Sequence, residues 1–416
     1  MVPKGWTVGT LSELADTVMG FAFKSSDFTP TGIPLLRMGN LYQNTLDFER
    51  NPECLPESFK DEYARFLVRP GDLVMSMTGT MGKRDYGFTV EIPSHAPDSL
   101  LNQRVMKFVP KKKTSAGYLL NLLRSEVILS RLYSFPGGTK QANLSAKQVQ
   151  ELVAPIPPLP EQRKIANILS TWDKAITTTE QLLANSQQQK KALMQKLLTG
   201  KKRLGIPDKS YELQKTRYGT IPKDWEYPAI KDICTQVTQK NTVSADYPVL
   251  SCSKYDGFVD SLKYFKKKVY SDDTSGYRLI HRGCFGFPSN HVEEGSIGLQ
   301  NLYDTGIVSP IYVVFRAKTK KVDNDYLYAV LKTDHYRQIF GAATNASVDR
   351  RGSLRWKEFS LIHVPLPPLD EQQKIAAVLS TADKEITALQ QKLDALKQEK
   401  KALMQQLLTG KRRVKV

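Results

Sequence analysis

The sequence lacks the features that mark several protein classes. It has no run of about 18 apolar residues, so we expect no membrane-spanning helix. The N-terminal residues do not combine a charged stretch with an apolar core, so we expect no signal peptide. The four cysteines are scattered, which argues against a disulfide framework or zinc site and favours the reducing cytoplasm. The five histidines show no metal-ligand spacing.

Catalytic motifs are missing as well. Residues 51–54, Asn-Pro-Glu-Cys, lack the second proline and the aromatic residue of an amino-methyltransferase tetrapeptide. Gly82-Lys83 resembles the end of a phosphate-binding loop, but Met77 and Arg84 occupy the required glycine and Ser/Thr positions. No Gly-x-Gly-x-x-Gly sequence occurs. We therefore predict that the chain is not an enzyme and binds no cofactor of its own.

Positive charge is the main feature of the composition. The chain has 416 residues, enough for two to four domains, and carries 60 Lys and Arg against 42 Asp and Glu. The resulting net charge of +18 favours a polyanionic partner, with nucleic acid as the first candidate.

An internal repeat organises the chain. The 50 residues from Pro155 match the 50 residues from Pro365 at 31 positions without a gap, at an offset of 210. A fainter match precedes each copy, because Pro-Lys-x-Trp occurs at residues 3–6 and again at 222–225. The stretches between these landmarks differ greatly. Duplicated ends with divergent middles suggest one scaffold that carries two different binding bodies.

The repeated segments predict two long helices. Each follows a proline-rich run, has apolar residues at alternating steps of four and three, and ends near a glycine, Gly200 or Gly410. A helix of roughly 38 residues is about 57 Å long and needs packing partners along its length. The polar seam residues Thr179, Ser186, Lys190 and Lys400 could fix the register, leave room for partner helices, or simply be solvated.

We therefore expect an α+β protein with a pseudo-two-fold internal duplication, in which two long antiparallel coiled-coil helices join two globular bodies. The predicted segments are a first body at 1–154, a first long helix at 155–204, a second body at 205–364 and a second long helix at 365–416. The alternative is that each helix covers its own body, but the seam is longer than one such body is wide.

Both bodies show the same predicted order of elements. Strands are expected at 34–41, 71–79 and 103–109 of the first body, followed by a helix from Tyr118. The second body repeats this order with strands at 247–253, 282–288 and 310–315 and a helix from Tyr326. Because the topologies match while the loops differ, we expect the loops to carry the function.

Polar and basic residues of these loops are the candidate DNA contacts. Amide side chains can bond adenine edges, and cations can reach guanine or phosphate. Any one of them could equally be ordinary surface charge, so the loops are firmer candidates than the single residues. The candidates are Lys83, Arg84, Lys140, Gln141 and Asn143 in the first body and Lys266, Lys267, Arg350, Arg351 and Arg355 in the second.

The landmark motifs resemble those of type I restriction–modification specificity subunits. The resemblance rests on the Pro-Lys-x-Trp starts, the Pro-Leu-Pro-Pro-Leu-x-Glu-Gln run and the Leu-Leu-Thr-Gly-Lys-Arg ending, and it spans the whole chain. It implies that the bodies are target-recognition domains, that each binds one half of a split, asymmetric DNA site, and that the helices set the gap between the halves.

The resemblance also implies partners. Two modification subunits would dock on the repeats and methylate adenine at N6 with S-adenosylmethionine, and two restriction subunits, where present, would use ATP and Mg. We expect the docking contacts at Lys190, Leu193, Leu197, Lys400, Leu403 and Leu407. Three alternatives remain: a free-standing DNA-binding protein, a coiled-coil adaptor that never contacts DNA, and a nuclease or methylase with an unfamiliar site.

Overall fold

The structure is a computed structural model that describes residues 2–80, 82–135, 141–207, 210–242, 246–290, 292–318, 320–345 and 352–415. The chain forms two compact units. The first comprises Met1–Gln181 together with Gln391–Val416, and the second comprises Leu182–Gln390. Each unit therefore contains one of the two bodies and a part of both long helices.

The first unit combines short strands with short helices. Its strands are β1 (Thr7–Thr10), β2 (Ala15–Met19), β3 (Ile33–Leu36), β4 (Leu41–Tyr42), β5 (Thr45–Leu46), β6 (Cys54–Leu55), β7 (Leu67–Val68), β8 (Leu73–Ser76), β9 (Thr78–Thr80), β10 (Thr89–Glu91), β11 (Ser99–Leu101), β12 (Val105–Pro110), β13 (Gln141–Asn143) and β14 (Val153–Ile156). Its helices are α1 (Leu11–Leu14), α2 (Phe59–Glu62), α3 (Ala116–Leu123), α4 (Glu126–Leu132), α5 (Ala146–Gln150) and the beginning of α6 (Leu159–Leu197).

Two four-stranded sheets form the body of this unit. One has the order β10-β8-β12-β2 and is antiparallel, and the other has the order β6-β3-β11-β7 with a parallel pair, β3 and β11. The apolar side chains of β12 are buried at Met106 and Phe108, where they share a core with Tyr118 and Leu122 of α3. The predicted strands and helix are thus present as β3, β8, β12 and α3, with shorter bounds than expected.

The second unit contains the second body. Its strands are β15 (Leu213–Thr216), β16 (Gly219–Pro222), β17 (Cys234–Val237), β18 (Leu250–Ser253), β19 (Gly257–Asp260), β20 (Arg278–His281), β21 (Cys284–Pro288), β22 (Gly298–Leu299), β23 (Thr305–Val308) and β24 (Tyr312–Ala317). Its helices are α7 (Ile230–Ile233), α8 (Ser261–Tyr264), α9 (Asn324–Leu331), α10 (Asp334–Asn345), α11 (Trp356–Phe359) and the beginning of α12 (Leu369–Leu408).

The second body repeats the core of the first. Its sheet has the order β17-β24-β21-β22, so β17, β24 and β21 correspond to β2, β12 and β8. Phe285 and Phe315 stack in this sheet with ring centroids 5.1 Å apart, and Tyr326 of α9 lies in the same core. The expected strands and helix appear as β18, β21, β24 and α9. The mixed α+β class and the duplication are therefore confirmed.

The two long helices agree closely with their prediction. Helix α6 has 39 residues and α12 has 40, which corresponds to about 58 and 60 Å at about 1.5 Å per residue. Both end before a glycine in the left-handed region, Gly200 at φ 66° and Gly410 at φ 73°. An L side chain rarely adopts this conformation, so the terminal glycine of each repeat has a structural reason.

Within each unit the two helices pack antiparallel. In the first unit Lys397 Nζ lies 2.8 Å from Glu180 Oε1, and the later Arg413 meets the earlier Glu161. In the second unit Ser186 Oγ donates to Glu385 Oε1 at 3.2 Å, while Arg203 meets Glu371. In both units the residue numbers on one helix rise as those on the other fall, which confirms the expected antiparallel pairing.

Candidate nucleic-acid interface and helix junctions

The two candidate loops of the first body lie side by side. Strand β9 pairs antiparallel with β13, so that Gln141 faces Thr80 and Asn143 faces Thr78. Gln141 and Asn143 are exposed while Ala142 between them is buried, as expected for alternation along a strand. The two amide side chains therefore share one solvent-facing surface beside the 82–84 turn. Lys140 lies outside the described residues.

The two cations of this turn differ in their surroundings. Arg84 Nη1 lies 2.8 Å from Glu126 Oε1, and its guanidinium stacks over the Tyr133 ring at 4.9 Å. Burial is the main factor that raises the pKa of Tyr133, to about 12. Lys83 is exposed and makes no ion pair within the described part of the chain, and only an electrostatic interaction links it to Asp85 there. Lys83 is therefore the freer cation for a phosphate contact.

A second surface feature of the first body had no counterpart among the sequence candidates. Strands β4 and β5 form a hairpin whose turn residues, Gln43 and Asn44, have φ values of 50° and 63°. Positive φ at both central residues defines a type I′ turn, which residues other than glycine adopt at a cost. Asn44 is anchored, because its Oδ1 accepts from Thr89 N at 2.9 Å and its carbonyl accepts from Arg124 Nη2 at 3.1 Å. The neighbouring Tyr42 stays exposed.

The candidates of the second body are only partly described. Lys266 and Lys267 lie in an exposed stretch after α8. Arg355 is exposed at the start of α11, and its side chain or backbone interacts with another group of the chain. Close to Arg355 the two bodies share a backbone contact, because Leu354 N donates to Ser289 O as Leu144 N does to Met77 O. Arg350 and Arg351 lie outside the described residues.

A buried junction joins three sequence motifs in the first unit. Glu161, in the first turn of α6, accepts from Trp6 Nε1 at 2.9 Å and from Arg413 Nε and Nη2 at 2.7 and 2.8 Å. Burial acts to raise the pKa of Glu161, but the hydrogen bonds from Arg413 and Trp6 outweigh it and hold this pKa below its usual value. The Pro-Lys-x-Trp start, the Glu-Gln pair and the basic ending therefore meet at one carboxylate.

The second unit repeats this junction at equivalent positions. Arg203 forms two bonds with Glu371, Nε to Oε1 at 2.9 Å and Nη2 to Oε2 at 2.6 Å, and Trp225 Nε1 donates to Glu371 Oε2 at 3.3 Å. Asp224 adds a bidentate contact to Arg203 Nη1 at 2.8 Å. These hydrogen bonds, those to Glu371 above all, raise the pKa of Arg203. This side chain is 4% exposed, whereas Arg413 is 44% exposed, so the second junction is the drier one.

The glycine and the glutamine that both repeats share also act at the junctions. A Cβ atom on Gly200 would lie 2.2 Å from Pro222, and one on Gly410 would lie 2.4 Å from Pro3. The Gln162 side chain accepts from Ser115 N at 2.9 Å, and Gln372 accepts from Asp323 N at 2.9 Å. In both units the glycine contact joins the end of one long helix to the Pro-Lys-x-Trp segment. The glutamine contact joins the start of the other long helix to the body helix, α3 or α9.

The seam lysines form ion pairs between the long helices. Lys190 binds Asp383 in the second unit, and Lys400 binds Asp173 in the first. The two pairs are equivalent under the 210-residue offset. Thr179 is buried and donates to its own helix at Ala175 O, 2.8 Å away. Of the roles considered for Lys190 and Lys400, these ion pairs favour the one in which the lysines fix the register of the two long helices.

The predicted docking residues have unequal exposure. Leu197 and Leu407 are 0% and 1% exposed and belong to the cores of their units. Leu193 and Leu403 are partly buried against the same cores. Lys190 and Lys400 are occupied by the ion pairs. Side chains enclosed in a core present no surface, so contacts to other subunits from this part of the helices would have to come from Leu193, Leu403 and their exposed neighbours.

Within the described ranges, no helix is both long and apolar enough to cross a membrane. Across the same ranges, no group of three or more His, Cys, Asp or Glu side chains is arranged to hold a metal ion.

Comparison with known proteins gives one matching family model and several similar proteins. The family model described as "Type I restriction modification DNA specificity domain" matches residues 3–185 and 222–398. The putative type I restriction enzyme MjaX specificity subunit of Methanocaldococcus jannaschii is 24% identical, over 100% of this chain and 95% of that protein. The type I restriction enzyme EcoBI specificity subunit of Escherichia coli is 26% identical, over 89% of this chain and 77% of its own length.

Solved structures support the fold. The crystal structure of the type I restriction–modification S subunit from M. genitalium matches with a TM-score of 0.59 and 14% identity, covering 98% of this chain and 96% of that one. A structure from a study of type I complex assembly matches with a TM-score of 0.55 and 17% identity, covering 98% of both chains. At this level of identity the likeness concerns the fold alone.

Proposed function

The chain belongs to the type I restriction modification DNA specificity family, and on that basis we propose that it recognises a two-part, asymmetric DNA site with one half-site for each body. It is a non-catalytic DNA specificity subunit. The observation that carries the proposal is the contrast within the duplication. The Trp–Glu–Arg hydrogen bonds recur at equivalent positions in both units, whereas the loops and hairpins of the two bodies differ. A shared scaffold with unlike surfaces is what two different half-sites require.

Base recognition in the first body is assigned to the surface beside β9 and β13. Gln141 and Asn143 can bond base edges there, and Lys83 can neutralise a phosphate. In the second body we assign phosphate contacts to Lys266 and Lys267 and base contacts to the sequence candidates Arg350, Arg351 and Arg355. We assign the spacing of the half-sites to α6 and α12, whose lengths are set by their sequence.

The proposal includes partner subunits. Two modification subunits dock on the long helices, around the exposed neighbours of Leu193 and Leu403, and supply S-adenosylmethionine-dependent methylation of adenine N6. Restriction subunits, where present, supply the ATP- and Mg-dependent steps. The free thiols of Cys54, Cys234, Cys252 and Cys284 fit work in the cytoplasm.

The test is a map of methylated adenines. DNA is sequenced for N6-methyladenine from host cells with the gene and from cells in which it is deleted. We expect one two-part motif that is lost on deletion and restored by the wild-type gene, and we expect a modification subunit to co-purify with the chain in a 2:1 ratio. A motif that persists without the gene, or a chain that methylates DNA alone, contradicts the proposal.

A further inference from the structure

An exposed apolar surface with many lysines stands out on the second body. We call it the aromatic–lysine ridge and define it as the 254–256 turn between β18 and β19 together with residues 262–269. All of these residues are exposed. Its large apolar side chains are Tyr255 at 82% exposure, Leu262 at 61%, Tyr264 at 49%, Phe265 at 37% and Val269 at 45%. Apolar side chains gathered in this way on a surface mark a binding site.

The ridge is held in place by polar contacts rather than by a core. Asp260 caps α8, because its Oδ1 accepts from Leu262 N at 3.0 Å and from Lys263 N at 3.2 Å. Tyr303 donates to the other oxygen of Asp260 at 2.6 Å. Tyr264 donates to Asp256 Oδ2 at 2.9 Å and so ties the helix to the turn. The ridge is therefore ordered before it meets a partner.

A half-buried lysine, Lys332, supports the backbone of the turn. Lys332 Nζ donates to Lys254 O at 2.7 Å and to Gly295 O at 3.0 Å. At the tip of the turn, Tyr255 N and Asp256 N both lie 3.3 Å from Ser253 Oγ, which accepts from them. These contacts fix the backbone of the turn while the Tyr255 side chain projects into solvent.

The charge of the ridge selects the class of partner. It carries five lysines, at positions 254, 263, 266, 267 and 268, and the acidic groups near them are already engaged. Asp256 and Asp260 accept from tyrosine hydroxyls, and Asp272 pairs with Lys268. Lys266 and Lys267 have no acidic partner within the described ranges. Apolar side chains flanked by free cations are suited to a partner that is negatively charged outside and apolar inside. Duplex DNA has this character, because its stacked base pairs lie between two phosphate backbones.

We infer that the ridge is a wedge that enters the minor groove of the half-site bound by the second body. Leu262 and Phe265 insert at a base-pair step and partly unstack it, while Lys266 and Lys267 neutralise the flanking phosphates. Proteins that insert such side chains kink the duplex by about 20–90°. The inference rests on the proposed function and adds a deformation that the first body does not produce.

Within the described part of the first body, no single stretch gathers several exposed large apolar side chains as residues 262–269 do. Phe21 packs against the Phe23, Tyr63 and Phe66 rings, and Tyr42, at the β4–β5 turn, has the Arg50 guanidinium 4.6 Å from its ring. One half of the site is therefore bent and the other is not. The bent half should contain a flexible pyrimidine–purine step, because such a step is the easiest to unstack.

The experiment uses the full chain with its co-purified modification subunits. A pool of duplexes with 40 random base pairs is selected for binding, and the most enriched sequence is made with a donor and an acceptor dye at its ends. We expect the wild-type complex to raise energy transfer and the Leu262→Ala/Phe265→Ala variant to bind this duplex about tenfold or more weakly without raising it. Leu213→Ala, at a residue 53% exposed in the same unit, is the matched control and should behave as wild type.

A second variant separates charge from insertion. Lys266→Gln/Lys267→Gln should reduce the slope of log affinity against log salt by about 2 while the bound duplex stays bent. If the Leu262→Ala/Phe265→Ala complex bends DNA as the wild type does, the inference that the ridge is a wedge is wrong. It is equally wrong if that variant keeps DNA binding but loses its modification subunits, since the ridge would then be a protein-docking surface. Enrichment of a two-part sequence without any bend refutes the wedge alone, whereas no enrichment by the wild type refutes the proposed function.

Discussion

The two helix junctions predict an unequal response to loss of their arginines. Arg203 donates four hydrogen bonds to Glu371 and Asp224 and is 4% exposed, and Glu371 is 8% exposed. Arg203→Ala leaves the Glu371 carboxylate buried with one remaining donor, Trp225 Nε1 at 3.3 Å. Breaking a buried ion pair from one side costs about 3–5 kcal/mol. Since Asp224 is 56% exposed and can be rehydrated, we expect about 3 kcal/mol.

The equivalent change in the first unit should be milder. Arg413 bonds Glu161 and the carbonyl of Lys4, but its side chain is 44% exposed, so water can take over part of its role when it is removed. Arg413→Ala should therefore destabilise the first unit less than Arg203→Ala destabilises the second. Lys202→Ala and Arg412→Ala, at the neighbouring exposed positions, are the matched controls and should have little effect.

Hydrogen exchange read by mass spectrometry suits this comparison, because a chain with two units need not unfold in one step. Exchange should accelerate in the second unit in Arg203→Ala, around α9 and the start of α12, with little change in the first unit. In Arg413→Ala it should accelerate around α3 and the start of α6. Equal effects of the two substitutions, or exchange as slow as in the controls, would refute the reasoning.

Three further predictions follow from the junctions, the candidate loops and the helices. The hydrogen bonds from Arg413 and Trp6 hold the pKa of Glu161 below that of an unfolded carboxyl, so the stabilisation is complete above the unfolded pKa and is lost as the pH falls through the folded one. Protection of the first unit against exchange, corrected for the intrinsic exchange rate at each pH, should therefore fall on acidification in the wild type, and Glu161→Gln should flatten this dependence. Lys83→Gln should reduce the salt slope of DNA binding by about 1 and leave the preferred bases unchanged, which a titration at several salt concentrations checks against Arg84→Gln, whose effect should be smaller. Deleting residues 179–185 and 389–395 together shortens each helix by about 10 Å, so the gap in the methylated motif should shrink by about three base pairs with both half-sites retained.

The sequence was informative where a pattern repeats locally. The step pattern of the long helices and their terminal glycines were predicted correctly, because periodicity and glycine conformation depend on near neighbours. The three strands and one helix predicted for each body are present in the predicted order along the chain. The 71–79 strand, however, divides at Met77 into β8 and β9, which pair in different sheets. Where a strand divides depends on the strands that pair with it, and these are distant in the chain. The alternation of apolar and polar residues within 71–79 therefore could not predict the division.

The parts that were missed depend on contacts far apart in the chain. Glu161 and Arg413 stand 252 residues apart, so their pairing follows only from the antiparallel packing of the helices. Lys190 and Lys400 interrupt an apolar seam when each helix is considered alone, yet each meets an aspartate of the other helix. The loops of Lys83 and Gln141 were separate candidates until strand pairing joined them.

Changing one body at a time tests most directly whether the two bodies recognise separate half-sites. Methylated adenines are mapped in cells that carry Gln141→Ala/Asn143→Ala, in the first body, and in cells that carry Arg355→Ala, in the second. The account predicts that each variant weakens or relaxes the base preference in one half of the motif, that the two variants affect opposite halves, and that the other half and the gap stay as in the wild type. If either variant degrades both halves alike, or if both affect the same half, the bodies do not recognise separate half-sites.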